Sequence, residues 1–570
     1  MKIKHLFGLA VIAAMSASCS SNEDLGTAGP GTGTNETGVG YATFTINLPS
    51  VSGTRAADAG GAEMDEGTAK EYAVKSATAL IFQKYGSDEG SCKFVESVDL
   101  PTAAADWTDD TTVGITTTKK LVAKLTNVDT KNQYYVLVLL NNNKTGGGVK
   151  VALPTVGQSY NEWNSQILTP SVDDLAADND FYMANAPLKG TASPTTLVTI
   201  NKENIYSSKE KAEAGTSAAT VYVERGVAKM SVTDPTTKTV IDKATNTPTK
   251  STVEFNNWAL DITNRKTYAV HNIDDLSTDF PDIWTTPRFI GTNSRVYWGK
   301  DPNYDLDHLN TGKEAEREAE FNFIKATSGI KKTFTESAYC LENTFNLANM
   351  YQGQTTRVIF KATYTPKDDV GNPLAEQDGT FYTIGNMTNI LNEAALKTAV
   401  NTAATSVLPG CTVDYTNLKT EGSHVITLAD IKDSTDKTLV ADKDYSGKTG
   451  TQIVKEINDK LGLIDGAGHA EAMVGINTYA QGVTYYIARV KHFGSLTPWN
   501  SGESYGTDNL KYLGRYGMLR NNWYELTVGN VYGPGYPGVP PVDPNQPDDE
   551  NEKYLSVSVK ILSWAKRSQD

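Results

Sequence analysis

The chain has 570 residues, 21% of them charged and 39% apolar, with a net charge of −15 and a pI near 5.0. That length exceeds one ordinary core, so two or more domains are expected, and the balance of apolar to charged residues excludes a mostly disordered chain. So acidic a chain offers no basic surface from which a polyanion could release counterions, which excludes DNA and RNA as expected partners.

The first segment reads as a processing signal. MKIK is basic, LFGLAVIAAM is apolar, and Ser16, Ala17 and Ser18 are small residues leading to Cys19. This is the length of an export signal and too short to span a bilayer. A cysteine directly after small residues is the arrangement of a bacterial lipobox, although Ser16 stands where Leu is usual. Lipidation of Cys19 is therefore expected over residues 1–19, with plain secretion as the alternative. Residues 20–40, SSNEDLGTAGPGTGTNETGVG, read as a flexible acidic leader.

YATFTINLPS, residues 41–50, alternates cleanly, with Ala42, Phe44, Ile46 and Leu48 on one face and Thr43, Thr45 and Asn47 on the other. The period of two predicts a half-buried strand. The small-residue loop VSGTRAADAGG follows, and Arg55 is the only Lys or Arg between Lys4 and Lys70. A trypsin-like protease thus has one site in this region, the bond between Arg55 and Ala56, and a cut there frees residues 20–55 from the body.

Runs such as QYYVLVLL, TLVTI, TVYVER, TRVIFKATYT and VTYYIARV, bounded by Gly, Asn, Asp or Pro, predict an all-β chain of sandwiches. KEAEREAEFNFIKA, NEAALKTAVNTAA and IVKEINDKLG carry helical periodicity and read as insertions or crossovers. Cys92, Cys340 and Cys411 are too scattered for a disulfide framework; one pair, Cys340 with Cys411, stays open against buried thiols.

No catalytic group, metal site or cofactor is expected. GESYG around Ser504 matches a nucleophile elbow but follows a loop, and no histidine lies beyond His492. SGKTG lacks the earlier glycine of a phosphate loop, since Asp442 stands there. Asp301, Asn303 and Asp305 have calcium-loop spacing, but Leu306 replaces the turn glycine and Gly312 the bidentate Glu. The six histidines stand singly, and His469, near Glu471, reads as a lone surface histidine instead of a general base. Trp163, Trp258, Trp284, Trp298 and Trp499 are candidates for a glycan surface, with core packing as the default.

The tail combines YGPGYPGVPPVDPNQPDDE with NEKYLSVSVKILSW. Leu555, Val557, Val559 and Ile561 form a second apolar face at period two, with Trp564 breaking the alternation at a bulge or rim. As an extended tether, residues 533–552 would reach up to roughly 60 Å, further than a strand paired in its own sheet needs. Inserting four aliphatic side chains into an empty groove contributes roughly 6 to 12 kcal/mol, against an association cost of order 4 to 15 kcal/mol. Strand addition between molecules, propagating head to tail, is one reading; an ordinary hairpin partner in its own domain is the other.

The lipobox-like Cys19, strand 41–50 followed by GTRAADAG, the mid-chain VYVERGVAKMSV, LRNNWYELTVGNV, the proline-rich stretch and the closing YLSVSVKILSW together resemble the type V pilins of the Bacteroidales, and most closely the stalk subunits of the short fimbriae of Porphyromonas. The resemblance implies an outer-membrane lipoprotein precursor, with Glu23 and Asp24 loosely matching an acidic signal for the outer leaflet. It also implies cleavage at Arg55, two transthyretin-like β-sandwiches (residues 56–220 and 221–532), and a donor strand within 553–570 that fills the groove left by a neighbour's first strand. The implied partners are further copies of the chain, accessory tip and anchor subunits, the outer membrane through the precursor lipid, and host or bacterial surface ligands. Adhesion and biofilm formation are the implied roles. A monomeric surface lipoprotein or tip subunit that binds glycan or host protein is the alternative.

Overall fold

The computed structural model describes residues 33–35, 38–48, 64–65, 67–102, 108–109, 117–129, 131–189, 193–276, 296, 298–307, 309, 312–385, 389–463, 475–492, 512–546 and 555–564. Cys19, Arg55, Ala56, Trp284, Trp499, the GESYG turn and His469 lie outside them.

The N-terminal part contributes β1 (Gly40–Asn47), β2 (Met64–Asp65), α1 (Ala69–Tyr72), β3 (Ala77–Gln83), β4 (Lys93–Leu100), β5 (Thr108–Asp109), β6 (Thr117–Leu125), β7 (Tyr134–Leu140), β8 (Met183–Asn185), α2 (Lys209–Ala214) and β9 (Ala219–Arg225). All these strands except β2 join one sheet, in the order β4-β3-β7-β8-β9-β1-β6-β5. The near-continuous apolar run of β7 marks a strand covered on both faces: Val136 to Leu140 are fully buried. Where β8 ends, the Asn185 side chain takes over the ladder, accepting from Val138 N and donating to Val136 O and Thr196 O.

The chain leaves this sheet at Arg225 and enters the second at Ala228. VYVERGVAKMSV is thus divided, with Val221 inside the first core and Met230 inside the second. The second sandwich uses β10 (Ala228–Val232), β11 (Thr237–Asp242), β12 (Thr247–Asp261), β13 (Ala338–Cys340) and β14 (Arg357–Thr365). An inserted unit follows, with β15 (Phe381–Ile384), α3 (Glu393–Val407), β16 (Gly422–His424), α4 (Gly450–Leu461) and β17 (Ile476–Tyr479). The chain then returns through β18 (Val483–Arg489), β19 (Asn522–Val531) and β20 (Leu555–Trp564). The second sheet runs β2-β20-β19-β11-β12-β14-β18, with β10 pairing β13 and β19 off this path.

The inserted unit has a core of its own, formed by α3 and α4 on the sheet β15-β17-β16. Ile453, Ile457 and Leu461 recur at helical spacing on the buried face of α4. Thr449, from the SGKTG motif, is the N-cap of α4 in a capping box with Gln452. That motif therefore starts a helix. Cys92, Cys340 and Cys411 are free and buried, which removes the Cys340–Cys411 pairing. Cys340 lies in the second core and Cys411 in the inserted one.

Candidate functional site

The two strands singled out by their alternation occupy different sheets. β1 pairs along its whole length with antiparallel β6, from Gly40↔Leu125 to Asn47↔Thr118, and with parallel β9 from Phe44↔Ala219 to Asn47↔Tyr222. Its neighbours thus close both of its edges. Ala42, Phe44 and Ile46 have no exposed surface and Leu48 only 2%.

The opposite face of β1 is not solvated as a half-buried strand would be. Thr43 and Asn47 are buried as well, Thr43 beneath the α2 segment and Asn47 against Thr118 of β6. The Thr43 hydroxyl donates to Ala212 O at 2.7 Å, Thr45 meets the Ser217 hydroxyl at 2.7 Å, and Asn47 Oδ1 accepts from Thr118 at 2.8 Å. These three side-chain oxygens thus have replacement partners for water, so the strand can be enclosed on both faces.

β20 lies in its own chain's second sheet, antiparallel to β19, with Val557 opposite Val528, Val559 opposite Leu526 and Ile561 opposite Tyr524. Leu555 is buried and Val557 packs partly against the second core. The ladder shifts register between Val528 and Val531, where Ser556 Oγ accepts from Asn530 N at 2.7 Å. The irregularity therefore falls at the start of the strand, away from Trp564, whose backbone aligns with Asp65 of β2.

The proline-rich stretch is docked over residues 533–546. Tyr486 and Tyr479 donate their hydroxyls to the carbonyls of Gly533 and Gly535, at 2.7 and 3.0 Å, and Tyr485 and Tyr536 exchange backbone hydrogen bonds. Gly535 has a φ of +66, and a Cβ there would come within 2.4 Å of Tyr485 O, so only glycine fits. Arg357 donates to the carbonyls of Pro540 and Pro541, and Gln352 N donates to Gln546 O. In the single chain these residues form a fixed ribbon rather than a free tether.

The other chemical candidates stay apart. The Asp301 carboxylate is turned inward to the N–H groups of Asn303 and Thr344, each at 2.5 Å, and burial pushes its pKa well above the usual carboxylate range. Asp305 is exposed and meets Asn346 and Lys300 instead, so the two carboxylates do not converge on a cation. Among the described residues no group of three or more His, Cys, Asp or Glu is placed to hold a metal. Trp163, Trp258 and Trp298 are buried, the first two donating their indole N–H to Ala152 O and Thr333 O. No helix of the described residues is long and apolar enough to cross a membrane.

Residues 477–570, from within β17 through the ribbon and β20, match the sequence model of the C-terminal region of fimbrillin, the major fimbrial subunit protein type IV. No curated protein matches the chain. A solved structure, a fimbrial assembly protein from Parabacteroides distasonis ATCC 8503, aligns with 11% identity and a TM-score of 0.25 over 57% of this chain and 99% of that one. The fimbrillin match supports a cell-surface fimbrial subunit, a structural class and not an enzyme family.

Proposed function

We propose that the chain is the stalk subunit of a surface fimbria, similar to the major subunit of the short fimbriae of Porphyromonas, and that it polymerises by donor-strand exchange. In this reading the precursor is exported and lipidated at Cys19, a protease cuts between Arg55 and Ala56, and β1 leaves the first sandwich. The vacated slot receives Leu555, Val557, Val559 and Ile561 from the next copy. The filament then meets host or bacterial surface ligands, with accessory tip and anchor subunits at its ends.

The observation that carries the reading is the setting of β1. It is enclosed between the edges of β6 and β9 with four apolar side chains buried, and the loop after it holds the single basic residue of the region. Removing β1 would leave two strand edges facing one apolar groove, which an alternating strand can enter. β20 sits in another sandwich of its own chain, so filling this groove calls for a second molecule.

The test uses the soluble chain from Ser20 to Asp570, nicked with an Arg-specific protease and run unheated on a denaturing gel beside a chain truncated after Glu552. A new N-terminus at Ala56 with a tail-dependent ladder is expected. A clean cut that leaves only monomer would overturn the reading. One observation favours the alternative, a monomeric ligand-binding surface lipoprotein or tip subunit: β20 is already paired within its own chain.

A further inference from the structure

Residues 64–65 and 67–72 lie between the two sandwiches at the point where the chain's last strand ends. β2 runs parallel to β20, with Met64 aligned to Ser563 and Asp65 to Trp564, so the end of β20 lies between β19 on one side and β2 on the other. Two residues of pairing are a weak hold by themselves, and their strength depends on how firmly the following segment is fixed.

That segment is fixed by a buried carboxylate. Glu71 is only 2% exposed, although it belongs to a one-turn helix. Its Oε2 accepts from Thr68 N at 2.6 Å, and its Oε1 lies 2.9 Å from Lys229 Nζ and accepts from the Tyr339 hydroxyl at 2.5 Å. Its backbone carbonyl accepts from Arg225 Nε at 2.9 Å. Arg225 ends β9 of the first sheet, Lys229 is in β10, and Tyr339 is in β13. Lys229 also stacks on the Trp523 ring at 3.5 Å, and Trp523 pairs with Leu562 of β20. Through Lys229, Glu71 is thus one strand away from the residues that hold β20.

We propose that β2 and residues 67–72 form a clasp that retains the C-terminal strand on its own chain, with Glu71 as its anchor. The clasp is a property of the single molecule and does not depend on filament formation. Its further role, as the contact that must open before β20 can be given to another copy, rests on the strand-exchange reading.

Hydrogen exchange read by mass spectrometry on the Ser20 to Asp570 chain tests the clasp without polymerisation. In a Met64→Pro, Asp65→Pro variant, exchange over residues 555–564 should rise about tenfold while residues 77–83 of β3 keep their protection. Glu71→Gln keeps the shape and removes the charge, and should give a smaller rise in the same peptides. Unchanged protection of 555–564 in the proline variant would overturn the clasp, as would equal loss across both sheets, which would mean general destabilisation. A confirmed clasp in a chain that forms no ladder after nicking would refute exchange and leave the clasp standing.

Discussion

Arg357 donates from Nη2 to the Pro540 carbonyl at 2.7 Å, linking β14 to a ribbon that lies more than 180 residues later in the sequence. The same side chain donates from Nε to Asp261 Oδ2 at 2.8 Å, and both charged groups are 1% exposed. A single buried cation thus neutralises a core carboxylate and holds the tail.

Arg357→Ala should cost about 3 to 5 kcal/mol, because it leaves Asp261 buried and unpaired. Adding Asp261→Asn should recover part of that loss. Denaturant titration of the four chains of this cycle gives the coupling, and limited proteolysis should show new cuts between residues 533 and 546 in the Arg357 variants. Resistance of the ribbon in Arg357→Ala would refute its dependence on this contact.

The two faces of β1 should respond unequally. Phe44→Ala empties a site with no exposed surface and should cost about 3 to 5 kcal/mol. Thr45→Ala loses one hydroxyl contact, to Ser217, and should cost about 0.5 to 1.5 kcal/mol. Thermal unfolding of the uncut precursor measures both. Equal effects would mean that the Ser217 contact on the polar face contributes as much as the apolar core.

Glu89 should make stability fall toward alkaline pH. Burial raises its carboxyl to about 7, outweighing the Thr196 N–H that donates to both of its oxygens, and the nearby Asp274 charge pushes the same way. The native pKa lies above the ordinary 4.5, so the native chain keeps a proton that the unfolded chain releases between those values. The stability from this group is full below about pH 4.5 and is lost as pH rises through about 7. Glu89→Gln should remove that slope, worth about 1 to 3 kcal/mol between pH 5 and 8. Parallel pH profiles for the two chains would contradict the assignment.

The inserted unit should unfold by itself. Leu396→Ala opens a fully buried position of α3 and should cost about 2 to 5 kcal/mol within that core. Proteolysis should then start between residues 389 and 463 while β3 and β7 stay protected. Simultaneous loss of both sandwiches would show a single cooperative unit.

Much of this architecture was legible in local pattern. The alternation of YATFTINLPS and YLSVSVKILSW gave two strands, and the spacing of IVKEINDKLG gave α4, because side-chain period is a local property. What stayed hidden depends on distant partners. Nothing near Thr43 indicates that Ala212 will cover it, and nothing in YGPGYPGVPP indicates that Arg357 and three tyrosines will bind its carbonyls. The division of VYVERGVAKMSV between two sheets was hidden for the same reason: both halves read as strand, and only tertiary pairing assigns Val221 to one core and Met230 to the other. Glu71 gave no signal at all, since a glutamate in a short helix is ordinarily solvated.

Ala269, Val270 and Leu341 lie beyond the first sheet in sequence, yet they belong to the first core. The two sandwiches consequently meet through packed side chains instead of as beads on a string. A load passed from one sandwich to the other therefore crosses packed side chains, Val270 and Leu341 among them. In a filament of the kind proposed above, compliance would then fall to the connections between molecules, and the stiffness of the filament would be decided there.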